Sequence, residues 1–505
     1  MTDLLLHNAH VLTMDPARPA AGAVAVRDGR IAAVGPDAKA ALAPAHERVD
    51  CEGGTIIPGF IDAHVHLLAY AATLRNVDCA AARSIADIQD ALRRRAAGTP
   101  AGGWVRASGY EETRLAERRH PTRVDLDAAA PEHPVRLVHS SGHARVLNSL
   151  ALRIAGIDRA TEEPPGAVIE RDAAGEPTGV LIGMEDAVDR AVPKPSFEEL
   201  AASAREASRR LVAGGVTCIQ DATHTNGRDT WALYERLFEA GAVDVDVVLL
   251  EGAEHLGELP EGGAGGRLRR GAVKVMLHEL ENSTPDRAEL AGMREAVAAA
   301  HAAGRQVAVH AVGAGAVEAA VDAIEAALRA QPRDDHRHRI EHCGLLPEGM
   351  ASRLARLGVV VVVQPSLVAE RGDRYLQLVP GDRIETLYAF RTLLDAGVDL
   401  AAGSDAPVTS ARPLASLAAA AERRATSGRV VGTSQTVGAA DALRWWTAGA
   451  ARAAFLEDER GAVRPGLRAD LVLLARDPGA CSPEELRSLA VRRVWAGGRD
   501  VPAAP

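Results

Sequence analysis

Short apolar and β-branched runs open the chain, separated by turns. They run from Leu4 to Thr13, Ala23 to Val26 and Ile31 to Val34. Asp28-Gly29, between the last two, is a strong two-residue hairpin signal. Asp470-LVLLA and Val491-RRVWAGG, near the other end, have the same character. Two all-β pieces at opposite ends predict one small β-sandwich domain built from residues 1–55 and 456–505.

Between them the texture changes. Short β-rich runs alternate with Ala-rich helical stretches such as 288–303 and 314–330, the pattern of a parallel sheet with crossover helices. The runs are Thr55-IIPGFID, Val216-TCIQD, Val245-DVVLL, Ala272-VKVML, Gln306-VAVH, Arg339-IEH, Val359-VVVQ and Val398-DLAAGSD. Eight such units are what a closed (β/α)8, TIM-like barrel needs, here spanning 56–455 in an α/β fold. One stretch does not fit: about 130 residues separate His66 from the helix preceding Val216, too many for a structureless loop. It carries its own strand-like runs, Trp104-VRAS and Val135-RLVH, and predicts a subdomain at 67–200 inserted after the first barrel strand.

Composition narrows the class. The 505 residues are 47% hydrophobic and 25% charged, as in ordinary soluble domains. The formal charge of −10 argues against nucleic acid or an anionic membrane as partner, and Arg93-Arg94-Arg95 reads as the solvated face of a helix. No secretory signal and no bilayer-length apolar run is visible, so a cytoplasmic location is expected. The five cysteines form no CxxC pair and are expected as free thiols.

In such barrels the reactive groups stand at the C-terminal ends of strands. The first run leads into Asp62-Ala63-His64-Val65-His66, whose two imidazoles lie two residues apart and so face one side of an extended segment. The fourth run contains Lys274. The fifth ends at His310, the sixth at His342 and the eighth at Asp405. Singly each has a bland reading: Asp405 after Gly-Ser also suits a turn, and a lone strand-end histidine is often structural. A lysine in an apolar run is odder, because burial demands a partner or a changed charge. Packing alone does not require all six to fall at strand ends.

With these residues in view the chain resembles the amidohydrolase superfamily, in its branch of YtcJ-like proteins and N-substituted formamide deformylases. The matching stretches are Pro58-GFIDAHVH, Gly214-GVTCIQD, Val273-KVML, Val307-AVHAVG, Arg339-IEHCGLL, Gly403-SDAPV and Gly461-AVRPGLRADLVLL. The resemblance implies a site for one or two divalent metal ions, most often zinc. His64 and His66 would hold the more buried ion, and His310 and His342 the second. Lys274 would bridge the two as an N6-carboxylated anion. Asp405 would bind metal and act as general acid/base, with His310 and His342 also catalytic. The implied reaction is hydrolysis of a C–N bond in an amide, N-formyl compound or cyclic amide, by water that the metal activates near neutral pH. A lyase, decarboxylase or isomerase using the same metal site is the alternative, and a metal-free binding protein the minor one. A small-molecule substrate is implied, and self-association as a homodimer stays open.

Two departures from the family pattern bear on substrate. Relatives usually carry an aspartate shortly after the strand-five histidine, where His310-Ala-Val-Gly-Ala314 has none. Many follow the strand-four lysine with Asp-Gly, where this chain has His278-Glu279. His278, Trp104, His143 and Asn148 are the candidate substrate contacts, with Tyr110 a further pocket candidate. Asp221 and His224 are candidates for orienting ligands from the second strand.

Overall fold

The computed structural model describes all residues except 1–2, 42–46, 141, 143, 165–166, 185–187, 189, 278–285 and 502–505. Two compact units divide the chain, one formed by 1–67 with 208–505 and the other by 68–207.

The larger unit contains the barrel. Its strands, in order, are Phe60–Val65, Val216–Asp221, Asp246–Gly252, Leu268–Val275, Val307–Ala311, Arg339–His342, Val360–Val363 and Leu400–Ala402. Each pairs in parallel with the next. Strands covered on both faces read as continuous apolar runs rather than alternating ones. In strand seven all four valines, Val360 to Val363, are buried, and each contributes about 1.5–3 kcal/mol by leaving water. The helices Arg287–Ala302 and Ala314–Ala330 follow strands four and five. The second turns Val317, Ala320, Val321 and Ile324 inward at helical spacing.

Strands one and eight close the ring through the segment that carries the chemistry. The Asp405 N–H donates to the His64 carbonyl at 2.7 Å, and the His66 N–H donates to the Ala406 carbonyl at 3.0 Å. Gly403 makes this approach sterically feasible: a Cβ there would lie 2.4 Å from His64 N.

The expected first run is divided in the structure. Thr55–Pro58 belongs to the terminal sandwich and Phe60–Val65 to the barrel. The break falls at Pro58-Gly59, and a Cβ on Gly59 would lie 2.3 Å from Thr217 Oγ1. Here the Thr217 side chain packs onto the Gly59 backbone and leaves no room for a Cβ.

The sandwich has two sheets. One orders Arg30–Val34, Val24–Arg27, Leu4–His7 and Glu47–Asp50. The other orders Arg499–Val501, Val491–Ala496, Leu471–Leu474, Thr55–Pro58, His10–Leu12 and Ala20–Ala21. Leu4, Val24 and Ile31 of the first share a core with Val11, Ile56, Leu471 and Trp495 of the second. Asp28 and Gly29 both have positive φ, 50° and 76°, as a two-residue hairpin turn of this hand requires.

The 68–207 unit has a six-stranded sheet and its own apolar core, including Ile88, Leu92, Val105, Tyr110 and Leu137. Arg93, Arg94 and Arg95 lie exposed on its helix Ile85–Ala97. Cys51, Cys79, Cys218, Cys343 and Cys481 are free thiols. Among the described residues no helix is long and apolar enough to cross a membrane.

Candidate metal centre at the barrel strand ends

His64 ends in the buried interior, 1% exposed, whereas the His66 side chain remains 24% exposed. Both rings turn Nε2 toward Asp405 Oδ1, at 3.6 Å from His64 and 3.2 Å from His66. The ligand-type atoms of these three residues lie within 4.8 Å of one another. Two imidazole nitrogens and a carboxylate oxygen at this spacing suit zinc and neighbouring transition metals. The donor chemistry therefore fits a divalent ion.

The other expected residues gather beside this group. The His342 ring centroid is 4.9 Å from that of His64 and 4.6 Å from that of His310. Lys274 is 2% exposed, and the charges acting on it are those of Glu341, Asp405 and Arg339. His342 and Asp405 have left-handed backbones, φ 74° and 56°. Non-glycine residues hold such conformations at a cost, and they cluster where a site must be aimed.

Electrostatics follow from burial. Burial pushes the Lys274 ammonium down to about 8, partly opposed by the Glu341 and Asp405 carboxylates. It lowers the His64 ring to about 3, with Lys274 adding to the shift, and lowers His310 and His342 as well. Burial opposes ionisation of Asp405 too. There the hydrogen bond from His66 and the neighbouring imidazoles outweigh it and hold the carboxyl well below the usual range.

Several residues around the site were not singled out from sequence. Glu341 is fully buried and accepts from His64 Nδ1 at 2.5 Å. Arg339 clamps that carboxylate bidentately, at 2.8 and 3.1 Å, and also reaches Gln220 and the Ala63 carbonyl. Gln364 Oε1 accepts from His342 Nδ1 at 2.8 Å, and Thr223 Oγ1 lies 2.9 Å from His66 Nδ1. Asp62 Oδ1 accepts the backbone N–H groups of Ser404 and His64, joining strands eight and one. Burial raises its carboxyl to about 7. A signal existed for one pair: Arg339 and Glu341 are opposite charges two apart in a short buried strand, so both point inward.

The remaining candidates fall elsewhere. Asp221 accepts the Thr223 N–H at 3.1 Å and the Tyr234 hydroxyl at 2.6 Å, shaping the turn that carries Thr223. The His224 side chain is exposed. Asn148 caps the helix Ser149–Ala155 in the 68–207 unit, accepting from Ala151 and Val135 and donating to the His133 and Ala130 carbonyls. Trp104 packs against an apolar cluster of that unit containing Leu147 and Leu152. Tyr110 is buried there, with its hydroxyl 2.8 Å from His120 Nδ1. His143, His278 and Glu279 lie outside the described residues. Ala314 is the first residue of its helix.

An eight-stranded parallel barrel with a His-His-Asp centre at its strand ends defines the class of metal-dependent hydrolases. Residues 47–502 match the amidohydrolase family model, family 3, and the chain belongs to that family. It is 32% identical to the N-substituted formamide deformylase of Arthrobacter pascens, over 99% of this chain and 98% of that one. It is 28% identical to the amidohydrolase YtcJ of Bacillus subtilis (strain 168), over 98% of each. In fold it is similar to a metal-dependent hydrolase from Pyrococcus horikoshii OT3, with TM-score 0.78 and 23% identity, covering 96% of this chain and 99% of that structure.

Proposed function

We propose that this chain hydrolyses a C–N bond in a small amide, an N-formyl amine or a cyclic amide, with Asp405 as general acid/base. The observation that carries the reading is the convergence of His64, His66 and Asp405 at the closure of the barrel. A divalent ion, most simply zinc, supplies Lewis acidity when bound and makes water nucleophilic near neutral pH.

The protein's own groups do the rest. Asp405 stays ionised at neutral pH, so it is ready to take the proton of the attacking water at Oδ1. It then returns that proton to the leaving nitrogen. His66, partly exposed, stands on the accessible side of that carboxylate. His310 and His342 form the adjoining pair, suited to a second ion and to polarising the substrate carbonyl.

Carboxylated on Nζ, Lys274 would complete the set as an anionic ligand. Carbamate formation needs a neutral amine, and burial gives Lys274 a substantial neutral fraction near pH 8. Among the described residues no hydrogen bond ties its ammonium down, and carboxylation would turn a costly buried cation into an anionic ligand. Full-length similarity to a deformylase favours N-formyl amines as the first substrates to test.

The experiment is turnover of an N-formyl, N-acyl and cyclic amide panel by zinc-loaded protein in H2 18O. Solvent oxygen should enter the acid product, and Asp405→Asn should lower kcat by about 10²–10⁴. Turnover without solvent oxygen in the product would instead identify a lyase or isomerase.

A further inference from the structure

Each of three strand-end histidines has its Nδ1 engaged by a side chain from a different strand or turn. His64 meets Glu341 at 2.5 Å, His342 meets Gln364 at 2.8 Å and His66 meets Thr223 at 2.9 Å. A neutral imidazole carries one proton, so the partner of one nitrogen decides what the other can do. We propose that Glu341 and Gln364 are permanent tautomer locks that commit the Nε2 lone pairs of His64 and His342 to metal, and that Thr223 is a reversible one.

The chemistry of the partners separates the two kinds. An ionised carboxylate can only accept, so Glu341 keeps the proton of His64 on Nδ1. The bidentate Arg339 clamp, with Arg339 also held by Gln220 and the Ala63 carbonyl, fixes Glu341 in place. Gln364 has a donor and an acceptor end, and its orientation is set on the far side. Its Nε2 donates to the Val362 carbonyl at 3.1 Å, which leaves Oε1 facing His342. Both locks are fully buried, so water does not compete for either bond.

Thr223 differs because a hydroxyl both donates and accepts. His66 Nε2 lies 3.2 Å from Asp405 Oδ1, and a proton on Nε2 would be donated there while Nδ1 accepts from Thr223. When Nε2 is needed as a ligand, the proton moves to Nδ1 and Thr223 becomes the acceptor. The partly exposed ring thus changes tautomer without losing its partner. The inference rests on the metal-centre reading above and assigns three positioning residues to it.

The test is competition titration of zinc against a chelator in the intact protein, with the melting temperature of the metal-free form as the fold control. Gln364→Met removes the acceptor with little change in volume, while Gln364→Glu keeps it. Affinity should fall about 10–100-fold in the first, the usual cost of losing such a partner, and stay at or above wild type in the second. Thr223→Val, nearly isosteric, should cost less than about tenfold. Glu341→Gln should weaken zinc as Gln364→Met does; because it also strands the Arg339 charge, the Gln364 pair decides the matter if it does not fold. Equal affinities in Gln364→Met and Gln364→Glu would overturn the locks. A wild-type protein that binds no zinc, or His64→Ala that binds it fully, would instead bring down the metal-centre reading itself.

Discussion

Lowering the pH from 7 to 5 should destabilise the barrel through two buried histidines, His336 and His338, which precede strand six at the end opposite His342. His338 Nδ1 accepts the Val307 N–H at 3.1 Å, so its proton sits on Nε2 and is donated to His301 Nδ1 at 2.8 Å. His301 Nε2 donates onward to the Gln331 carbonyl at 2.7 Å. His336 accepts the His338 N–H on Nδ1 at 2.9 Å and donates from Nε2 to the Leu357 carbonyl at 2.8 Å. Every ring nitrogen is committed, and a further proton on His336 or His338 would face a donor. Burial, with the charges of His336, Arg333 and His301 adding to it, holds the His338 ring down at about 2.

The sign follows from linkage. In the unfolded chain His338 titrates at its ordinary value near 6.5, so below that pH the unfolded state binds the extra proton. The stabilisation is complete above pH 6.5 and declines as pH falls from there toward 2. From pH 7 to pH 5 the loss for this one ring is about 2 kcal/mol, and His336, also lowered, adds to it. Urea denaturation of wild type and His338→Asn at both pH values isolates the term, because both proteins share any effect of metal release. The wild-type advantage over the variant should shrink by about 2 kcal/mol at pH 5. An unchanged gap would refute the neutral, fully committed chain, and a widening gap would mean that His338 is charged in the folded protein.

Other consequences are simpler. Lys274→Ala should lose zinc, measured by elemental analysis, and regain part of it when a small carboxylate is supplied; full retention without one would remove the carbamate from the site. Gly403→Ala should cost about 3 kcal/mol or more of stability, because its methyl would lie 2.4 Å from His64 N at the closure of the barrel. A melting temperature unchanged by that substitution would show that strands one and eight can separate without cost.

Much of the architecture was legible because parallel barrel strands are covered on both faces and so read as unbroken apolar runs. The six proposed chemical residues were legible for a related reason: five are polar interruptions at the end of such a run and Lys274 is one inside it. Gln364 and Thr223 were not, since neutral polar residues just past a strand are common and acquire meaning only from the ring opposite. Their roles depend on register between strands seven and six and between strands two and one, which no single run reveals. The division of Thr55-IIPGFID was hidden similarly, because Gly59 is required by Thr217, about 160 residues away in sequence. Asn148 shows the reverse case. Its signature suits a helix start as well as a substrate contact, and the structure commits all four of its polar valences to backbone groups.

Charge balance connects Lys274 to the histidine locks. The strongly ionised groups beside Lys274 are the Glu341 and Asp405 carboxylates and the Arg339 guanidinium. With Lys274 protonated the set is neutral, two anions against two cations, while His64, His310 and His342 stay uncharged because burial lowers their rings. Asp62, pushed up to about 7, leaves that balance nearly unchanged when protonated. A neutral, low-dielectric pocket gives a divalent cation little net attraction, and an ammonium beside it would oppose binding. Deprotonating Lys274 would remove one positive charge, and the proposed carboxylation, with loss of a second proton, would add one negative charge, so the pocket would reach −2 with Arg339 still in place. Arg339 cannot serve as that switch, because it is clamped to Glu341, the group that fixes the His64 proton. The labile charge therefore belongs on Lys274 and the permanent one on Arg339. Under the proposed carboxylation, this division would let the pocket fold neutral and become anionic where metal is held.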